Sequence, residues 1–229
     1  MTERIGPGVY RYPARPGQFG YLLRDAQGWV AVDLDVGWVP ELPWPLGTSI
    51  FTCPSVQPAD KQANRAASAP FHEAALLGEA GSHRLLYRPR GRLLFAGHFF
   101  DEPRPCASTA ESPGGPGSEL ELLATLLRLD LRATVTASGE VVTEPHRLIS
   151  THLEQHRHRR QQILEAIAHG PGTVEGIARF LAARGVSWPP GSDEMHHALR
   201  SHLGALVEEG VLTSSHRDDP HRYYVKYGA

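Results

Sequence analysis

The sequence predicts an α+β protein in two parts: a β-rich first part, then a helical second part that ends in a β-hairpin. Three observations carry this. Short apolar runs separated by Gly-containing turns fill most of the chain up to Ala96. A Pro-, Gly- and Ser-rich stretch at 101–118 then breaks the pattern, as a surface loop does. From His146 onward, apolar residues recur at helical spacing in three successive segments. A length of 229 residues suits one or two domains, and the change of pattern places them at 1–145 and 146–229.

In chain order, Gly8–Tyr12 alternates between Pro and Gly breakers and reads as a strand. Tyr21–Arg24 and Trp29–Leu34 flank a turn at Asp25-Ala26-Gln27-Gly28 and read as a hairpin. Thr48–Thr52 is a further strand. Pro58–Ser68 is compatible with a helix. Arg84–Tyr87 and Arg92–Ala96 form a second hairpin around Arg88-Pro89-Arg90-Gly91. Glu119–Leu129 carries Leu122, Leu123, Leu126 and Leu127 at helical spacing, and Thr134–Thr136 is a short strand.

A helix from His146 runs into Leu153–Ala168, where Ile163, Leu164 and Ile167 share a face. Gly170-Pro171-Gly172 stops it. Thr173 is an N-cap for a second helix with Val174, Ile177, Phe180 and Leu181 as its apolar stripe. Ser192 opens a third, carrying Met195, Leu199, Leu203, Leu206 and Val207, and Gly210 closes it from the C′ position. Val211–Ser214 and Arg222–Val225 are two strands around a turn at Arg217–Pro220. Three helices and a terminal hairpin make a winged-helix arrangement, a helix-turn-helix variant.

Composition narrows the function classes. No apolar run approaches the roughly 18–20 residues of a membrane span, and the N-terminus has no apolar signal region, so a cytoplasmic protein without a membrane partner is expected. Two cysteines, Cys53 and Cys106, make neither a disulfide scaffold nor a Cys-rich zinc site. A net charge of −2 exerts no general pull on nucleic acid. The 13 histidines suggest a metalloenzyme at first count, but only His72, His83 and His98 precede residue 146. Lysine occurs only at Lys61 and Lys226, so the bias towards His and Arg reads as compositional.

The order of the pieces resembles the metallo-β-lactamase-like hydrolases that end in a C-terminal winged helix. Tyr21-Leu22-Leu23 and Val30-Ala31-Val32-Asp33 look like that family's opening hairpin with its Asp-containing turn. Leu85-Leu86-Tyr87 and Leu93-Leu94-Phe95-Ala96-Gly97 look like the strand pair that carries its bridging metal ligand. His152–His156, Gln162–Ile167 and Gly170–Glu175 resemble its junction helix and the opening of its winged helix. The resemblance implies a shortened αββα sandwich followed by a winged-helix domain.

The family's chemistry does not carry over with the resemblance. Its HxHxDH motif holds two metal ions, usually zinc, and activates a bridging water. The corresponding stretch here is Thr52-Cys53-Pro54-Ser55-Val56-Gln57-Pro58, so Cys53 and Ser55 replace two His, Gln57 replaces the Asp, and Pro58 offers no donor. His98 stands where the bridging Asp is expected, and Ser138 where the final His is expected. Cys53, Ser55, Gln57, His98 and Ser138 thus outline a vestigial cleft, with no catalytic residue, no metal and no cofactor expected.

The expected function is that of a non-catalytic protein of this fold acting through interaction, dimerisation or ligand sensing, with a protein partner or a second copy of itself. Nucleic-acid binding by the winged helix is the alternative. Its contacts would come from His156, Arg157 and Arg160 on the junction helix, His197 and Arg200 on the third helix, and Arg217 and Arg222 on the wing. The segment 146–229 holds 10 Arg and Lys against 9 Asp and Glu, a weak phosphate footprint. A third reading is a hydrolase with a rebuilt Cys/His site using Cys53 and His98, with Asp101 or Glu102 as acids.

Overall fold

The computed structural model describes residues 3–25, 28–34, 46–50, 52, 75–80, 83–100, 116–170, 172–186, 192–215 and 221–226. They belong to two compact units: Met1–Asp101 with Arg128–Leu148, and Glu102–Leu127 with Ile149–Ala229. The units therefore interleave along the chain. Residues 102–127 group with the C-terminal part, an allegiance that tertiary packing decides and no local signal announces. Among the described residues no helix is long and apolar enough to cross a membrane.

In the first unit, β1 (Glu3–Gly6), β2 (Val9–Arg15), β3 (Gln18–Asp25), β4 (Gly28–Val32) and β5 (Leu46–Ile50) form a five-stranded sheet in that order. β6 (Ala75–Ala80), β7 (His83–Arg88), β8 (Leu93–Gly97), β9 (Ala133–Thr136) and β10 (Val141–Val142) form a second, in the order β10-β9-β8-β7-β6. Neighbours are antiparallel except for β4–β5 and β8–β9. A parallel pair needs a crossover, and the one from β8 to β9 contains α1 (Pro116–Leu126).

Side chains alternate across a strand, and this divides the apolar residues into two sets. Val9, Tyr21, Leu23, Val30 and Val32 of the first sheet share one buried cluster with Leu86, Leu93, Phe95, Ala133 and Val135 of the second. The two sheets thus form a sandwich. Leu22 and Ala31 face the other way and pack with Leu34, Tyr10 and Trp29. Within the sandwich the Tyr21 and Phe95 rings meet edge-on at 5.4 Å, and Tyr21 donates its hydroxyl to Thr136 O at 2.8 Å. Arg88 is buried and donates to Pro7 O at 2.9 Å and Arg24 O at 3.2 Å, joining β7 to the first sheet.

The second unit contains α1, most of α2 (Pro145–Ala168), α3 (Val174–Ala183), α4 (Ser192–Glu208) and the hairpin β11 (Leu212–Ser215) with β12 (Arg222–Val225). Ile163, Ile167, Val174, Ile177, Leu181, Leu199, Leu203, Leu206 and Leu212 form its core. All of these but Leu212 of the hairpin are positions the helical periodicity marks. Thr173 caps α3 by accepting from Gly176 N at 3.1 Å. Gly210, at φ 74°, ends α4 in a Schellman arrangement, with Val211 N donating to Leu206 O at 2.9 Å and Gly210 N to Val207 O at 3.0 Å. α1 packs against α4.

Several elements depart from the sequence reading. β1, β6 and β10 carry no strand signal: β1 is polar, β6 is rich in Ala and Gly, and β10 has only two residues. β5 starts and ends two residues earlier than expected, and α1 three residues earlier. The helix-compatible stretch 58–68 lies outside the described residues.

Candidate functional site

In open sheets, sites gather beyond the carboxyl ends of parallel strands. The two parallel pairs bring Asp33, Thr52, Gly97–His98 and Ala137–Ser138 to one rim of the sandwich. Asp33 follows β4 with a positive φ of 51°. Its carboxylate accepts from Thr52 N at 2.6 Å and from the Thr52 hydroxyl, and both residues are buried. Gly97 closes β8 at φ 53°, where a Cβ would overlap Thr52 Oγ1 and lie 3.8 Å from Asp33 Oδ2. Only glycine fits there. Ala137 N donates to Gly97 O at 2.8 Å and Phe19 N to Ala137 O at 2.9 Å, extending the rim from β8 through β9 to β3.

His98 and Ser138 both lie on this rim. The His98 ring nitrogen Nε2 is 3.2 Å from Gln18 Nε2, and Ser138 Oγ is 2.7 Å from Thr136 Oγ1. Beside them Arg11 donates to Gly139 O, pairs with Glu3, and stacks over the Phe19 ring at 4.8 Å. Cys53, Ser55 and Gln57 lie outside the described residues, as do Asp101, Glu102 and Cys106. The sequence reading quoted Asp33, Thr52 and Gly97 within its family-like stretches without assigning them to the site, and it did not single out Gln18.

This rim does not suit the paired metal ions of the resembled family. The Asp33 carboxylate is committed to Thr52 through both oxygens. The His98 imidazole and the Ser138 hydroxyl each have a neighbouring side chain as partner. Among the described residues, no group of three His, Cys, Asp or Glu side chains has the geometry to hold a metal.

The basic run on α2 differs from a free surface patch. His156 points inward and is buried, with Nε2 3.1 Å from Glu119 Oε1 of α1. Its expected role as a surface contact is therefore corrected: its side chain packs inside the helical unit. The Arg157 guanidinium pairs with Glu154 at 2.8 Å, and Arg160 pairs with Glu209. Arg200 and Arg222 are exposed. The side chain of His197, and Arg217 altogether, lie outside what is described.

Against solved structures, the chain is similar over 97% of its length to a metallo-β-lactamase family protein from Thermus thermophilus, covering 100% of that chain at 16% identity and a TM-score of 0.63. It is similar over 98% of its length to a β-lactamase domain protein from Burkholderia ambifaria, covering 93% of that chain at 17% identity and a TM-score of 0.60. The chain therefore has a metallo-β-lactamase-like fold of mixed α and β elements. No protein-family profile matches the sequence, and no curated protein matches it.

Proposed function

We propose that the chain is a non-catalytic member of the metallo-β-lactamase-like fold that acts by binding, through self-association or a protein partner. The observation that carries this reading is the engagement of the rim. At the two described positions where the resemblance expects metal ligands, His98 and Ser138 are tied to Gln18 and Thr136. Asp33 has been drawn fully into the scaffold. A rim whose polar groups satisfy one another keeps the fold's strand-end architecture without aiming donors at a shared point.

In this reading residues 1–145 hold the sandwich domain, with α1 grouping instead with the later helices, and residues 146–229 a junction helix and a winged-helix domain. The backbone bond from Tyr223 N to Gly172 O at 2.8 Å supports the latter, since it ties the segment between the first two helices to the hairpin. Elemental analysis of purified protein, paired with sedimentation velocity, tests the proposal. The expected result is substoichiometric zinc together with a concentration-dependent dimer or a captured partner. Stoichiometric zinc that disappears in His98→Ala would overturn it.

A second reading, nucleic-acid binding, draws on the outer face of β12, where exposed Arg222, Tyr224 and Lys226 alternate. Cations flanking an aromatic ring suit a phosphate backbone with stacked bases. A salt titration with single- and double-stranded oligonucleotides decides it: no binding even at low salt removes this reading.

A further inference from the structure

The helical unit buries an ionisable cluster that the rim does not use. His156 of α2 and His202 of α4 are both buried, with ring centroids 5.9 Å apart. Glu119 of α1 lies against His156, its Oε1 3.1 Å from the ring's Nε2. The other His156 nitrogen, Nδ1, is buried with no hydrogen-bond partner. Arg159 and Arg160 of α2 also act electrostatically on His202, and Arg160 is paired with Glu209 at the end of α4. Three helices thus converge on two buried imidazoles and one partly exposed carboxylate.

We propose that His202, His156 and Glu119 form an acid-sensitive latch that holds α1 against α2 and α4 at neutral pH and releases α1 in mild acid. His202 is enclosed, and the nearby His156, Arg159 and Arg160 disfavour a charge on its ring while the Glu119 carboxylate favours one. Burial, with His156 beside it, pushes its pKa down to about 3. A proton on that ring is tolerated only if the ring reaches water. The helix that can yield is α1. It has 11 residues, a length at which an isolated helix is marginal in water. Its polar tie to α2 is Glu119, and it buries Leu122, Leu123 and Leu126. Undocking α1 would hydrate His202 and uncover the apolar surface those leucines occupy. A hydrated histidine titrates near 6.5, so the response sets in below about pH 6.5 and grows as the pH falls towards 3.

Hydrogen exchange on the full chain at pH 7.5 and pH 5, corrected for the intrinsic pH dependence of exchange, tests the latch. Protection of α1 amides is expected to fall about 30-fold at pH 5, while α3 and the sandwich strands keep theirs. In His202→Phe the acid response of α1 is expected to disappear, and His202→Gln serves if the phenylalanine variant does not fold. Unchanged α1 protection at pH 5 would overturn the proposal. So would a loss spread evenly over the chain, or an acid response that survives replacement of His202. Because the readout is local to α1, failure of the latch leaves the non-catalytic reading of the rim untouched.

Discussion

Asp33 grips Thr52 twice, taking the backbone amide at 2.6 Å on one carboxylate oxygen and the side-chain hydroxyl on the other. The bond joins the carboxyl end of β4 to the residue just past β5, where Val32 stands opposite Ile50 in parallel register. Asp33 does this from a left-handed backbone conformation, which costs a non-glycine residue on the order of 1 kcal/mol. The double hydrogen bond offsets that cost.

Asp33→Ala should therefore destabilise the sandwich by roughly 2–4 kcal/mol, because it leaves the buried Thr52 amide and hydroxyl unpaired. Thr52→Val keeps the amide bond and should cost less, about 1–2 kcal/mol. Urea unfolding of both single variants and the double variant gives a coupling energy. A coupling near zero would mean that the grip contributes nothing to stability.

Gly97→Ala is the sharper test of the rim. The added methyl group would overlap Thr52 Oγ1 at a residue whose φ is 53°. Backbone strain and the steric conflict act together, so a loss of at least ~2 kcal/mol is expected. A variant with wild-type stability would show that Thr52 moves aside freely. The comparison with Asp33→Ala then separates the hydrogen bonds from the close approach.

Legibility in the sequence followed chemistry that acts locally. Ile163, Ile167, Ile177, Leu181, Leu199, Leu203 and Leu206 were readable as core because helical spacing alone places them on one face. Thr173 and Gly210 were readable as caps because helix ends impose those residue types. The inward turn of His156 was hidden: in the run His156-Arg157-His158-Arg159-Arg160 it looks like one more solvated basic residue. Only the arrival of Glu119 and His202 from two other helices distinguishes it. Those partners lie 37 residues before it and 46 residues after it, separations over which a linear pattern carries no signal.

Tyr21→Phe isolates one hydrogen bond across the sandwich. The ring keeps its edge-on contact with Phe95 while the 2.8 Å bond to Thr136 O is lost inside the core. The expected cost is about 1 kcal/mol by chemical denaturation, with the fold retained. A cost near zero would mean that another donor, or water, reaches the Thr136 carbonyl.

Stability against pH should carry the signature of His202. Its folded-state pKa is depressed to about 3, while the unfolded chain's histidine titrates near 6.5. Between these values the unfolded state binds a proton that the folded state refuses. The stability associated with this group is thus fully present above about pH 6.5 and is lost as the pH falls, at up to about 1.4 kcal/mol per pH unit. By pH 5 the loss from this one residue is on the order of 2 kcal/mol. Other groups also titrate in acid, so the quantity to measure is the difference in slope between wild type and His202→Phe in urea unfolding from pH 7.5 to pH 5. The wild type should lose stability faster by nearly one proton's worth over the lower part of that range. Parallel slopes would show that His202 takes up its proton without opening the helical unit, and the imidazole would then have to be solvated in the folded state.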